Sequence, residues 1–79
     1  MSEREIKYEI INELGIISDS DKKWKKEFNR ISWNGNEPKY DIRDWAPNRE
    51  KSGKGITLTE SELRKLKELI DKEIAFLDE

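Results

Sequence analysis

The stretch Trp33-Asn34-Gly35-Asn36-Glu37-Pro38-Lys39-Tyr40-Asp41-Ile42-Arg43-Asp44-Trp45 decides the fold. Asn34-Gly35 is a strong hairpin signal, because both residues tolerate the positive φ of a tight two-residue turn. Pro38 suits the start of the next strand, where no ladder donor is needed. From Lys39 the residues alternate: Tyr40 and Ile42 on one side, Lys39, Asp41, Arg43 and Trp45 on the other. The second side carries cations and an aromatic ring together.

Upstream of the turn, residues 24–33 read as the partner strand. Trp24, Lys26, Phe28, Arg30 and Ser32 fall on one phase, and Lys25, Glu27, Asn29, Ile31 and Trp33 on the other. Neither phase is cleanly apolar, which suggests a bulge or two functional faces. Ser18-Asp19-Ser20-Asp21 is a turn cluster. Residues 5–17 form the first strand, with Ile6, Tyr8 and Ile10 alternating with Lys7 and Glu9. Ile6, Ile10 and Leu14 also sit four apart, as in a helix, but β-branched residues and Gly15 favour a strand. The phase slips at Ile10-Ile11, where a bulge or bend is expected.

Downstream, Ala46 to Gly55 reads as a loop, and residues 55–58 as a short strand. Thr59-Glu60-Ser61-Glu62 is a capping box that opens a helix over 60–77. Leu63, Leu66, Ile70, Ile74 and Leu77 form its apolar stripe, and Leu69 and Phe76 widen it. A single helix on a small sheet does not need that width, so Leu69 and Phe76 are the expected dimer contacts. The fold class is α+β: a four-stranded antiparallel sheet and one C-terminal helix (ββββα) in a single domain, 1–79.

Only 33% of the 79 residues are hydrophobic and 43% are charged, which leaves a thin core. With no cysteine to cross-link it, association with a second subunit is the expected support. The absence of Cys and His also removes the usual zinc and iron–sulfur ligands, so no metal or cofactor is expected. No apolar run approaches the roughly 20 residues of a membrane span, and the N-terminus lacks a signal-peptide core. A cytoplasmic protein is expected, with nucleoid association left open.

The charge is unevenly placed. Residues 22–55 hold ten Lys or Arg against five acids, a net of +5, and all three tryptophans. The flanks carry −4 and −3. Bases stack on aromatic faces and phosphates seek cations, so this window suggests single-stranded nucleic acid. Catalysis is poorly supplied: no Cys, and no His to act as base for a serine. Asp41 and Asp44 fall on opposite strand faces and form no acid/base pair. Gly53-Lys54-Gly55-Ile56-Thr57 lacks the spacing of a phosphate-binding loop and precedes a strand.

The run Trp33 to Trp45, followed by Lys54-Gly55-Ile56-Thr57-Leu58-Thr59, resembles the YdbC-type bacterial proteins. These belong to the superfamily of the C-terminal domain of the transcriptional coactivator positive cofactor four. Members carry D-I-R followed by an aromatic, a loop, then K-G-I-[ST]-L and a helix. The resemblance covers the chain from about residue 5 to the helix. It implies a homodimer of ββββα subunits that binds single-stranded DNA with little sequence preference. Carried over by motif, Arg43 matches the arginine of D-I-R, Trp45 the following aromatic, and Lys54 the lysine of K-G-I. Trp33 resembles the aromatic before the hairpin turn. The coactivator has one more residue before its tryptophan, and its Ser-rich tail is absent here.

The expected function is therefore non-catalytic binding of single-stranded DNA, with RNA left open because no feature reads the 2′-OH. Lys25, Lys26, Arg30, Lys39, Arg43 and Lys54 are the expected phosphate contacts. Trp45 is the first-ranked stacking platform, Trp33 the second, and Trp24 is divided between binding and core. The alternative is a protein-interaction module, with the tryptophans as a hot-spot patch for a polypeptide.

Overall fold

The computed structural model describes residues 7–18 and 23–79. The expected strand start at residues 5–6, the turn residues Asp19, Ser20 and Asp21, and Lys22 lie outside the described residues. The elements are β1 (Tyr8–Ile16), β2 (Lys25–Trp33), β3 (Lys39–Trp45), a 3-10 turn (Pro47–Arg49), β4 (Ser52–Leu58) and α1 (Glu60–Leu77). The strands form one antiparallel sheet in the order β1-β2-β3-β4. The ββββα order expected from the sequence is the observed one.

The β2–β3 turn forms as its residues dictate. Asn34 and Gly35 both take positive φ, 54° and 78°, and Asn36 N donates to Trp33 O at 2.9 Å. The slip in β1 is real: register shifts fall between Ile10 and Asn12 and again between Glu13 and Gly15. Boundaries differ from expectation in three strands: β1 runs Tyr8–Ile16 against an expected 5–17, β2 begins at Lys25 against 24, and β4 differs most. β4 begins at Ser52, not at 55, because a register shift between Arg43 and Trp45 lets Gly53 and Lys54 stay within the strand. Gly55 is required where it lies: a Cβ there would collide with Arg43 Cβ and the Ile42 carbonyl.

Pairing sorts the side chains onto two faces. Tyr8 opposes Trp33, Asn29 opposes Asp41, Glu27 opposes Arg43, and Lys25 opposes Trp45. This is the tryptophan face. Phe28 opposes Ile42, which opposes Ile56, and Lys26 opposes Asp44 on the other side. That side receives the helix. The deepest burial lies on the tryptophan face, in Ile31, Trp45, Asn29 and Asp41.

The capping box is complete. Glu62 N donates to Thr59 Oγ1 at 3.2 Å, and Thr59 N donates to Glu62 Oε1 at 2.8 Å. Leu63, Leu66 and Ile70 meet Ile17, Phe28 and Ile42 across an open apolar crevice of about 240 Å³. No helical residue is fully buried. Leu69 is 51% exposed and Phe76 65% exposed.

Candidate nucleic-acid interface

β3 alternation aims Asp41, Arg43 and Trp45 at the tryptophan face, where they meet Trp33 from β2 and Tyr8 from β1. Asp41 is 0% exposed and is matched atom for atom by Arg43. Arg43 Nε donates to Asp41 Oδ1 at 2.9 Å and Nη2 donates to Oδ2 at 2.9 Å. Nη1 donates to the Gly53 carbonyl at 3.1 Å. Such a two-pronged, charge-assisted pair offsets the desolvation of a buried carboxylate. Trp33 joins from the other side. Its Nε1 donates to Asp41 Oδ2 at 3.3 Å, and the Arg43 guanidinium carbon lies 4.8 Å from its ring centre. The Trp33 ring is thus held by a carboxylate and a cation together.

A second polar cluster adjoins the first. Asn29 Nδ2 and Arg49 Nη2 both donate to Glu27 Oε1, at 3.1 and 2.9 Å. Arg49 also pairs with Glu13 at 3.5 Å, so it ties the β3–β4 loop to β2 and β1. Burial works against its charged form, but hydrogen bonds and the fields of Glu27 and then Glu13 outweigh this and raise its pKa. Asn48 and Arg49 both adopt left-handed φ, 59° and 53°. For non-glycine residues that backbone is strained, and the Arg49 contacts hold it.

The three rings form one cluster. Trp33 and Trp45 are nearly parallel, 3° apart, with centroids separated by 6.4 Å. Tyr8 leans on both, 5.4 Å from Trp33 and 5.2 Å from Trp45, at tilts of 46° and 48°. Trp45 is 1% exposed, and its Nε1 has no hydrogen-bond partner among the described residues. A buried donor left unpaired costs about 1–3 kcal/mol.

The nine expected contact residues are therefore not equivalent. Trp45 is a correction to the expected order: it is covered by Tyr8 and Trp33 and does not face solvent. Arg43 is already engaged by Asp41 and Gly53, so its first role is to fix Trp33. Lys26 and Arg30 alternate onto the helix side, where Lys26 Nζ pairs with Asp44 at 2.9 Å. Trp24 is 45% exposed and lies against Gly53: a Cβ there would meet its ring at 3.2 Å. Lys25 shares the register position of Trp45 on the tryptophan face. Lys39 and Lys54 are exposed.

Two adjoining concavities share Trp33 and Thr57. One continues to Asn36, Glu37 and Lys39, the other to Asn34, Arg43 and Ser52. Together they make a groove beside the β2–β3 turn, floored by an indole and bordered by cations. Tyr8, Thr57 and Ser52 were not foreseen as parts of this surface, and Asp41 was placed on this face but given no part in it. For Asp41 a signal existed, since D-I-R spacing puts carboxylate and guanidinium on one strand face. Among the described residues no cluster of His, Cys, Asp or Glu is arranged to hold a metal ion. No described helix is long and apolar enough to cross a membrane.

Comparison with known proteins agrees with this layout. An uncharacterized protein of Treponema pallidum (strain Nichols) is 45% identical over 64 residues, covering 81% of this chain and 75% of that protein. The family described as Transcriptional Coactivator p15 (PC4) matches residues 20–69, the span that contains β2, β3, β4 and the first half of α1. With the D-I-R and K-G-I segments placed side by side on β3 and β4, the chain belongs to the PC4 family.

Proposed function

We propose that this chain is a non-catalytic single-stranded DNA-binding protein with little sequence preference, working as a homodimer. Membership of the PC4 family supports a nucleic-acid-binding, coactivator-like domain. The observation that carries the finer reading is the groove in which Trp33, held by Asp41 and Arg43, lies beside Lys39. Stacking on an indole tolerates every base, because every base has a π-face. Lys25, Lys39 and Lys54 serve the phosphates. Lys26 and Arg30, on the far face, add to the positive field of the central window and steer encounter.

Titration with oligo-dT at low salt quenches tryptophan fluorescence. Raising the salt weakens binding with a log–log slope of about −2, as three lysines each neutralise one phosphate on a single strand. Absence of quenching at low salt would overturn the reading and favour a polypeptide partner for the same face.

The dimer reading rests on the helix. Leu69, Ile70, Ile74, Phe76 and Leu77 are all exposed on an element that buries none of its residues fully. A second copy covering this stripe supplies the apolar burial that the thin core lacks. Native mass measurement gives twice the chain mass, and Phe76→Asp gives the single-chain mass. A wild-type protein that stays monomeric at micromolar concentration would refute the dimer.

A further inference from the structure

Trp45 is the one side chain whose surroundings the stacking role of Trp33 does not explain. Its ring is packed, yet its only polar atom is left without a partner among the described residues. The ring above it is Tyr8, the first residue of the edge strand β1, itself 40% exposed. The backbone beside Tyr8 is pinned, since Asn34 N donates to Lys7 O at 2.7 Å and Lys7 N donates to Asn34 Oδ1 at 3.1 Å. The Tyr8 side chain, and not its strand, is therefore the movable part of the cover.

We propose that Trp45 Nε1 is a concealed hydrogen-bond donor for the keto oxygen of a nucleobase, reached when the base displaces the Tyr8 ring. The inference rests on the single-strand reading above and adds a second element to it. An indole N–H points along its own ring plane, so its acceptor must arrive edge-on. Trp33 and Trp45 lie within 3° of parallel, so a base stacked on Trp33 is held parallel to the Trp45 plane, the orientation that an in-plane N–H···O contact needs. Thymine, cytosine and guanine carry a keto oxygen, and adenine does not. The consequence is a mild bias against adenine within an otherwise permissive site.

The test compares oligo-dT with the same oligomer carrying 2,4-difluorotoluene, a thymine isostere that stacks but is a very poor acceptor. The wild type binds the isostere about five- to tenfold more weakly, the effect of one neutral hydrogen bond. Trp45→Phe, which keeps a ring and removes the N–H, binds both oligomers alike. Tyr8→Ala uncovers Trp45 and binds oligo-dT about two- to tenfold more tightly, by the worth of one aromatic pair. Equal wild-type affinity for the two oligomers overturns the inference and leaves the single-strand reading standing. So does full discrimination retained by Trp45→Phe, and weaker or unchanged binding by Tyr8→Ala removes Tyr8 as the cover. Failure of the wild type to bind either oligomer overturns both readings. The isostere comparison needs no altered protein, so a poorly folded variant does not blunt it.

Discussion

Trp33→Ala weakens oligo-dT binding by about 5- to 150-fold, the worth of one base stacked on an aromatic side chain. The magnitude follows from how the ring is held. An indole on a flexible strand end would lose motional freedom on binding, and that loss would offset part of the stacking energy. Here the ring is fixed beforehand by its hydrogen bond to Asp41 and by the Arg43 guanidinium beside it. Most of the stacking energy therefore reaches the affinity. Fluorescence anisotropy with a labelled oligo-dT measures the change, and the salt slope serves as the control. Because no lysine is removed, the slope stays near its wild-type value while the affinity falls. A Trp33→Ala protein that keeps wild-type affinity would show that bases do not stack there.

Asp41→Asn lowers folding stability by about 3–5 kcal/mol, as expected when one partner of a buried ion pair is lost. Asp41 has no exposed surface, and its carboxylate accepts from both Arg43 and Trp33. Asparagine keeps the shape but leaves the guanidinium without its counter-charge, its side chain only 17% exposed. The comparison is Asp44→Asn, which breaks the exposed Lys26–Asp44 pair and changes stability by about 0–1 kcal/mol. Urea unfolding of both variants separates the two sites. A midpoint shift for Asp41→Asn no larger than that for Asp44→Asn would deny the Asp41 pair its structural role. The same substitution loosens Trp33, so its affinity for oligo-dT falls as well.

Much of the fold was legible because it rests on local rules. The Asn34-Gly35 turn, the alternation from Lys39 to Trp45 and the Thr59–Glu62 capping box depend on residues a few positions apart, and each formed as read. The start of β4 was misread because Gly53 and Gly55 look like loop residues. What keeps Gly53 and Lys54 in the strand is a shift in pairing against β3, which one strand alone does not reveal.

The site was legible only in part, for a related reason. Alternation correctly grouped Lys39, Arg43 and Trp45 on one side. It says which residues share a face, and not what covers that face. Trp45 is hidden by Tyr8, which reaches it only after two intervening strand pairings. Lys26 and Arg30 were grouped with the tryptophans by charge, although strand phase already set them apart from Lys25 and Trp33. There the compositional signal outweighed the geometric one, and the sheet puts both residues on the helix side, as strand phase had it. Arg43 reads as a phosphate ligand until the burial of Asp41 is seen.

The β1-β2-β3-β4 order has a kinetic consequence. Each strand pairs only with its neighbours in the sequence, so no long loop must close before a pairing is rewarded. The β2–β3 hairpin, closed by Asn34-Gly35, sets up on a timescale of about 1–10 μs, and β1 and β4 add to its two sides. Such local wiring favours fast folding and limits the time that bare strand edges spend exposed to other chains. The chain thus completes its four-stranded sheet without a strand from any other molecule, and the proposed dimer would have only the helix surface left to organise.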